Sequence, residues 1–142
     1  MQKSKLIEQL KRHEGVKSHV YLDMHGLEHI ACGRNISKNG LGLSEEEIEY
    51  LLNNDINRTI EELSHYAWFK QMSEGARKDA IVNIHFNLGQ TTFSKFQKSI
   101  ACLENNDWDG AAAEFLDSLW ARQVKGRALE LTDQIKTNEY LD

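Results

Sequence analysis

"DMHGLEHIACG", residues 23–33, is the stretch whose reading decides the fold. It contains "HGLEH" (25–29), which matches the H-x-x-E-H pattern of zinc hydrolases. That chemistry needs His25 and His29 on one face of a helix, Glu28 as general base and a third ligand elsewhere. The flanks oppose a helix. "HVYLD" and "HIACG" are short runs with β-branched and aromatic residues bounded by glycine, and Gly26 lies inside the pattern. Residues 19–33 are therefore expected to form a β-hairpin turning near Met24–Gly26, with His25 in the turn and His29 on the returning strand. The zinc hydrolase is kept as an alternative enzyme, distinguished by metal content and by inhibition with chelators.

Outward from the hairpin the chain reads as helix. Residues 4–14 place Leu6, Ile7 and Leu10 on one stripe behind a candidate N-cap, Ser4, and Gly15 ends the segment. After a loop, "RNISKNGLG", Ser44 and Glu47 make a capping box. It opens one long amphipathic helix over about 44–63, with Ile48, Leu51, Leu52, Ile56 and Ile60 on its apolar face. From Trp68 the pattern is helical throughout: a helix capped by Ser73 and stopped by Gly89, then "TTFSKFQKSIACLENND", "WDGAAAEFLDSLWARQ" and "GRALELTDQIKTNEYL". Trp68, Phe93, Phe96, Trp108, Phe115 and Trp120 are assigned to core packing, with Phe86 divided between core and cleft. The fold class is α+β and mostly helical, within a single domain spanning 1–142. A small hairpin lobe (about 13–45) is joined by the long helix to a larger helical lobe (about 64–142), which also takes the N-terminal helix.

Composition narrows the function. A chain of 142 residues buries about two-thirds of its unfolded surface, so it needs no staples. Cys32 and Cys102 are expected as free thiols in a reducing compartment. The N-terminus has no apolar signal region, and no window approaches the roughly 20 apolar residues of a membrane span. The expected starting place is therefore the cytoplasm, with no stable membrane insertion. A net charge of −5 argues against a nucleic-acid binder.

Two carboxylates carry the candidate chemistry. Glu14 ends the first helix, where the macrodipole disfavours an ionised carboxylate and so favours the protonated form a general acid uses. Asp23 ends the first hairpin strand, and His29 stands on the opposing one. Glycoside hydrolysis asks for two carboxyl groups flanking one bond, one protonated and one ionised.

These residues sit within "HEGVKSHVYLDMHGLEHIACGRNI", followed downstream by "ARKDAIVNIHFNLG", "TTFSKFQKSI" and "NDWDGAAAEFLDSLWARQVKGRA". Together the segments resemble the phage-type lysozymes or endolysins of glycoside hydrolase family 24, the T4-lysozyme-like group. The resemblance covers nearly the whole chain and is weakest over about 36–75, where part of the small lobe is missing. It implies a lysozyme-like fold. It also implies a substrate, the β-1,4 bond between N-acetylmuramic acid and N-acetylglucosamine in peptidoglycan. Glu14 matches the family's general acid, and Asp23 the carboxylate that guides water or stabilises the oxocarbenium charge. Arg127 matches an arginine that pairs with the glutamate, while Phe86, Asn87 and Ser99 fall on cleft-lining positions. No cofactor and no metal are implied.

His29 departs from the family pattern, which has threonine there. It can act as a base on displaced water, attack the anomeric carbon to give a retained, transglycosylating route, or mark an altered module that only grips cell-wall glycan. The acidic charge is a second departure. One reading gathers Lys17, Arg34, Lys95, Lys98, Arg122, Lys125 and Arg127 on the cleft side; the other is a high-salt setting that screens net charge. The resemblance further implies a monomer made in the bacterial host cytoplasm and released to the periplasm and wall by a membrane-permeabilising partner, a holin.

Overall fold

The computed structural model describes residues 1–141 and divides into two compact units, Met1–Tyr50 and Leu51–Asp142. It is α+β and mostly helical, as expected, with one three-stranded antiparallel sheet.

In the first unit α1 (Lys3–Glu14) leads into β1 (Lys17–Leu22), β2 (Glu28–Ala31) and β3 (Arg34–Asn35). Gly15 stops α1 at φ 77°, its N–H returning to the Lys11 carbonyl at 2.9 Å. The helix starts one residue before Ser4, which therefore does not cap it. The hairpin turns at residues 24–26, where expected. Across it Tyr21 faces His29 and Leu22 faces Glu28, with a register shift nearer the open end. The segment read as loop after Gly33 begins with β3, whose two residues are too few to show a period of two. Cys32, between β2 and β3, is exposed and free.

α2 (Glu45–Leu63) begins in the first unit and continues into the second. Its capping box is formed: the Glu47 N–H donates to Ser44 Oγ at 3.2 Å and the Ser44 N–H to Glu47 Oε1 at 2.9 Å. Arg34 Nη1 donates to the same carboxylate oxygen at 2.8 Å, tying β3 to the start of the helix. Arg34 and Ser44 together bring the Glu47 carboxyl down to about 2.

The second unit holds α3 (Ala67–Gln71), α4 (Ala76–Leu88), α5 (Gln90–Phe93), α6 (Gln97–Glu104), α7 (Trp108–Leu116), α8 (Leu119–Val124) and α9 (Gly126–Thr137). Its core gathers Leu63, Phe69, Ile81, Ile84, Phe93, Leu103, Phe115, Leu131 and Ile135, all at most 3% exposed. Phe115 is its hub, with ring centroids 6.3 Å from Phe93, 5.6 Å from Phe96 and 6.3 Å from Trp120. Ala128, Leu131, Thr132 and Ile135 line the inner face of α9 at helical spacing.

Two expectations are corrected here, and α2 adds a finding of its own. Ser73 does not cap α4: the helix starts at Ala76 behind Gly75, and its Arg77 N–H donates at 2.8 Å to Asn138 Oδ1 at the end of α9. The two runs after Gly89 each break in two, because polar residues inside them satisfy helix ends. Ser118 accepts from the Ala121 N–H and starts α8. The apolar face of α2 is only partly inside: Leu63 is buried, whereas Ile48, Leu51, Leu52 and Ile60 are exposed, the last two beside a surface cavity.

Candidate active site

Asp23 and His29 are brought together by the hairpin turn. The Asp23 N–H donates to the Leu27 carbonyl at 2.9 Å, closing the loop. Its Oδ1 accepts from the N–H groups of His25 (2.8 Å) and Leu27 (2.9 Å). These two bonds, the Leu27 one foremost, hold the Asp23 carboxyl below its ordinary 3.8 against the opposing effect of desolvation. Oδ2, the oxygen left over, lies 3.7 Å from His29 Nδ1.

His29 is fixed as firmly. Its Nδ1 is 3.0 Å from the Leu27 carbonyl oxygen. A carbonyl only accepts, so Nδ1 carries the hydrogen, and in the neutral ring Nε2 carries the free lone pair. The imidazole leans on Tyr21 across the strands, with ring centroids 5.8 Å apart. His25, by contrast, sits in the turn, and Glu28 and His29 are neighbours on a strand, so the helical spacing of the zinc pattern is absent. Among the described residues no three His, Cys, Asp or Glu side chains come together in a ligand cluster.

Glu14 is exposed at the last turn of α1. Its carboxylate lies over the β2–β3 turn: a Cβ built on Gly33 would come 3.0 Å from Glu14 Oε2. Gly33 also has φ +80°, so both space and backbone favour glycine beside the acid. No hydrogen bond or ion pair joins Glu14 to Asp23 or His29 among the described residues.

The large-unit candidates fall in two places. Phe86, 42% exposed, and Arg127 line one cavity of about 400 Å³ with Leu52, Ile56 and Ile60. Arg127 grips Asn83 Oδ1 through Nη2 (2.6 Å) and Nε (3.2 Å). Beside them Tyr140 donates to Asp79, a bond that pushes its phenol up to about 12. Ser99 is 1% exposed and lines a second cavity, of about 540 Å³, with Lys95, Lys98 and Trp120. Asn87 is exposed and accepts from Trp120 Nε1 at 2.7 Å, which makes it a support for that indole. Of the basic residues, Arg34 is paired with Glu47 in the first unit, and in the second Arg127 borders the first cavity while Lys95 and Lys98 border the second.

Sequence reasoning missed Asn83 and the Leu27 carbonyl. Asn83 precedes Phe86 by three residues, so helical spacing from that candidate points to it. Leu27 acts through its backbone, which side-chain identity does not reveal.

Residues 11–135 match the phage lysozyme family. Two relatives in Dictyostelium discoideum, probable T4-type lysozymes 2 and 1, are 28% and 26% identical, each alignment covering 94% of this chain and 95% of the relative. The pre-baseplate central spike protein Gp5 of Enterobacteria phage T4 is 28% identical over 93% of this chain, which spans 28% of that protein's length. The lysozyme alignments run over 161 positions, more than the 142 residues here, so this chain carries deletions relative to both.

Proposed function

Because the chain belongs to the phage lysozyme family, whose members are lysozyme-type hydrolases, we propose that it cleaves peptidoglycan at the β-1,4 bond between N-acetylmuramic acid and N-acetylglucosamine. The observation that carries this reading is the clamped Asp23–His29 pair on a hairpin whose neighbouring turn receives Glu14. Glu14 serves as general acid, donating its proton to the glycosidic oxygen as the bond to the anomeric carbon breaks. Asp23 stays ionised and faces the developing oxocarbenium charge.

His29 gives the reaction its own course. Its Nε2 lone pair attacks the anomeric carbon, forming a glycosyl-imidazolium while the leaving sugar departs with the proton from Glu14. The Leu27 carbonyl on Nδ1–H and the Asp23 carboxylate at 3.7 Å support the positive charge on the ring. Water, deprotonated by the Glu14 carboxylate, then displaces the imidazole, and the product keeps its anomeric configuration. A sugar hydroxyl in place of that water gives transglycosylation. On the larger unit Phe86 and Arg127, which share one cavity wall, are the candidates for glycan contact; Ser99, 1% exposed, and Asn87, bonded to Trp120, support the structure around them. The protein acts as a monomer, is made in the host bacterial cytoplasm, and reaches the wall once a holin has opened the membrane.

The test is clearing of purified peptidoglycan by wild type, Glu14→Gln, Asp23→Asn and His29→Thr, with and without chelator. Glu14→Gln is expected to lose about 100-fold or more in rate, and chelation to change nothing. NMR of the first-formed anomer is expected to show retention in wild type. An inverted product removes His29 as nucleophile and leaves it a base; wild type that binds but never clears leaves a glycan-binding module.

A further inference from the structure

Both polar contacts of the His29 imidazole are made at the same nitrogen. The Leu27 carbonyl oxygen lies 3.0 Å from Nδ1 and Asp23 Oδ2 lies 3.7 Å from it. Nε2, the end that reacts, has no hydrogen-bond partner among the described residues. A ring held at one nitrogen can pivot about it, so something other than a hydrogen bond has to aim Nε2.

Tyr21 stands in the right place to do so. It lies directly opposite His29 across the hairpin, and opposite residues of an antiparallel pair project to one face. Asp23, two residues on, falls on that face too, which brings its Oδ2 within reach of the ring. The Tyr21 and His29 ring centroids are 5.8 Å apart with the planes 35° from parallel, an offset and tilted stack. Burial agrees with this pairing. Tyr21 is half-buried while every other residue of β1 is exposed, and the His29 side chain is only 15% exposed. In a unit that buries no residue fully, the hairpin shields these two rings together.

Charge adds a second effect. The imidazole turns positive as Nε2 bonds to the sugar or takes a proton, and an aromatic ring within about 6 Å attracts a cation far more than a neutral ring. An interaction that strengthens as the reaction proceeds raises kcat without tightening substrate binding. We propose that Tyr21 is a positioning residue of the His29 reaction: its ring stops the imidazole pivoting about Nδ1, and its π-system backs the positive charge that develops there. The proposal rests on the reading of His29 as the reacting group.

Two measurements on wild type, Tyr21→Phe and Tyr21→Leu test it. The first needs no substrate: imidazole nitrogen shifts of the resting full-length protein at about pH 9, where an ordinary imidazole is neutral. Wild type and Tyr21→Phe are expected to show His29 with a protonated Nδ1 and a bare Nε2, whereas in Tyr21→Leu the two shifts should move together as the tautomers mix. Unchanged amide signals away from the hairpin would show that the leucine variant is folded. The second is turnover of soluble peptidoglycan. Tyr21→Leu should lose about tenfold in kcat with KM within about twofold, and should release inverted product beside retained; Tyr21→Phe should keep the wild-type values. Unmixed tautomers in Tyr21→Leu, or equal kcat in all three proteins, would overturn the proposal. Wild type that gives only inverted product, or that never turns over, removes the nucleophile or the glycosidase reading instead, and the resting-state shifts still decide whether Tyr21 holds the ring.

Discussion

Asp23 spends one carboxylate oxygen on the hairpin and keeps the other for His29. Its carboxyl is depressed below 3.8, so the linkage has a definite sign: the stabilisation is complete above the ordinary value and is lost as pH falls through the depressed one. A carboxyl-carbon NMR titration should give a midpoint below 3.8, shifting upward when Leu27 is replaced by N-methyl-leucine, which lacks the amide donor. At neutral pH Asp23 is then a fixed anion, whatever the state of Glu14. Glu14, Asp23 and His29 could be picked out from residue type, spacing and the resemblance, because carboxylates at a helix end and a hairpin are visible as letters. The Leu27 carbonyl that sets the His29 tautomer was not legible, since any residue supplies one.

At the scale of elements, the Ser44–Glu47 box could be read from four letters and is formed as read. Ser44→Ala should cost about 1 kcal/mol in chemical denaturation. Glu47, with its carboxyl at about 2, adds stability that is full above 4.5 and fades between there and about 2 as acid releases Arg34. The cap of α4 was misread for a physical reason. Local patterns find caps a few residues away, whereas the donor at Arg77 is answered by Asn138, 61 residues on. The breaks before α6 and α8 escaped for a related cause. Apolar spacing runs through them, and only the bonding of residues such as Ser118 shows that a new helix begins.

Across the whole chain the two units differ in how they are built. Every fully buried side chain lies in the second unit, and no residue of Met1–Tyr50 is buried to that degree. The aromatic hub is therefore the place where truncation does most harm: Phe115→Ala should lower unfolding free energy by about 3–5 kcal/mol in urea titrations. Fold class and the hairpin were legible because periods of two and of about 3.6 are distinct in this sequence. Which apolar residues of α2 end up exposed was not, since periodicity names a face without naming what covers it. The clasp between Arg77 and Asn138 sets a timetable for synthesis. A growing chain has made Arg77, in the first turn of α4, 61 residues before the amide that finishes that turn exists, an interval on the order of 3–12 s at about 5–20 residues per second. Through that interval α4 waits with open donors, and the larger unit closes from its far end backwards.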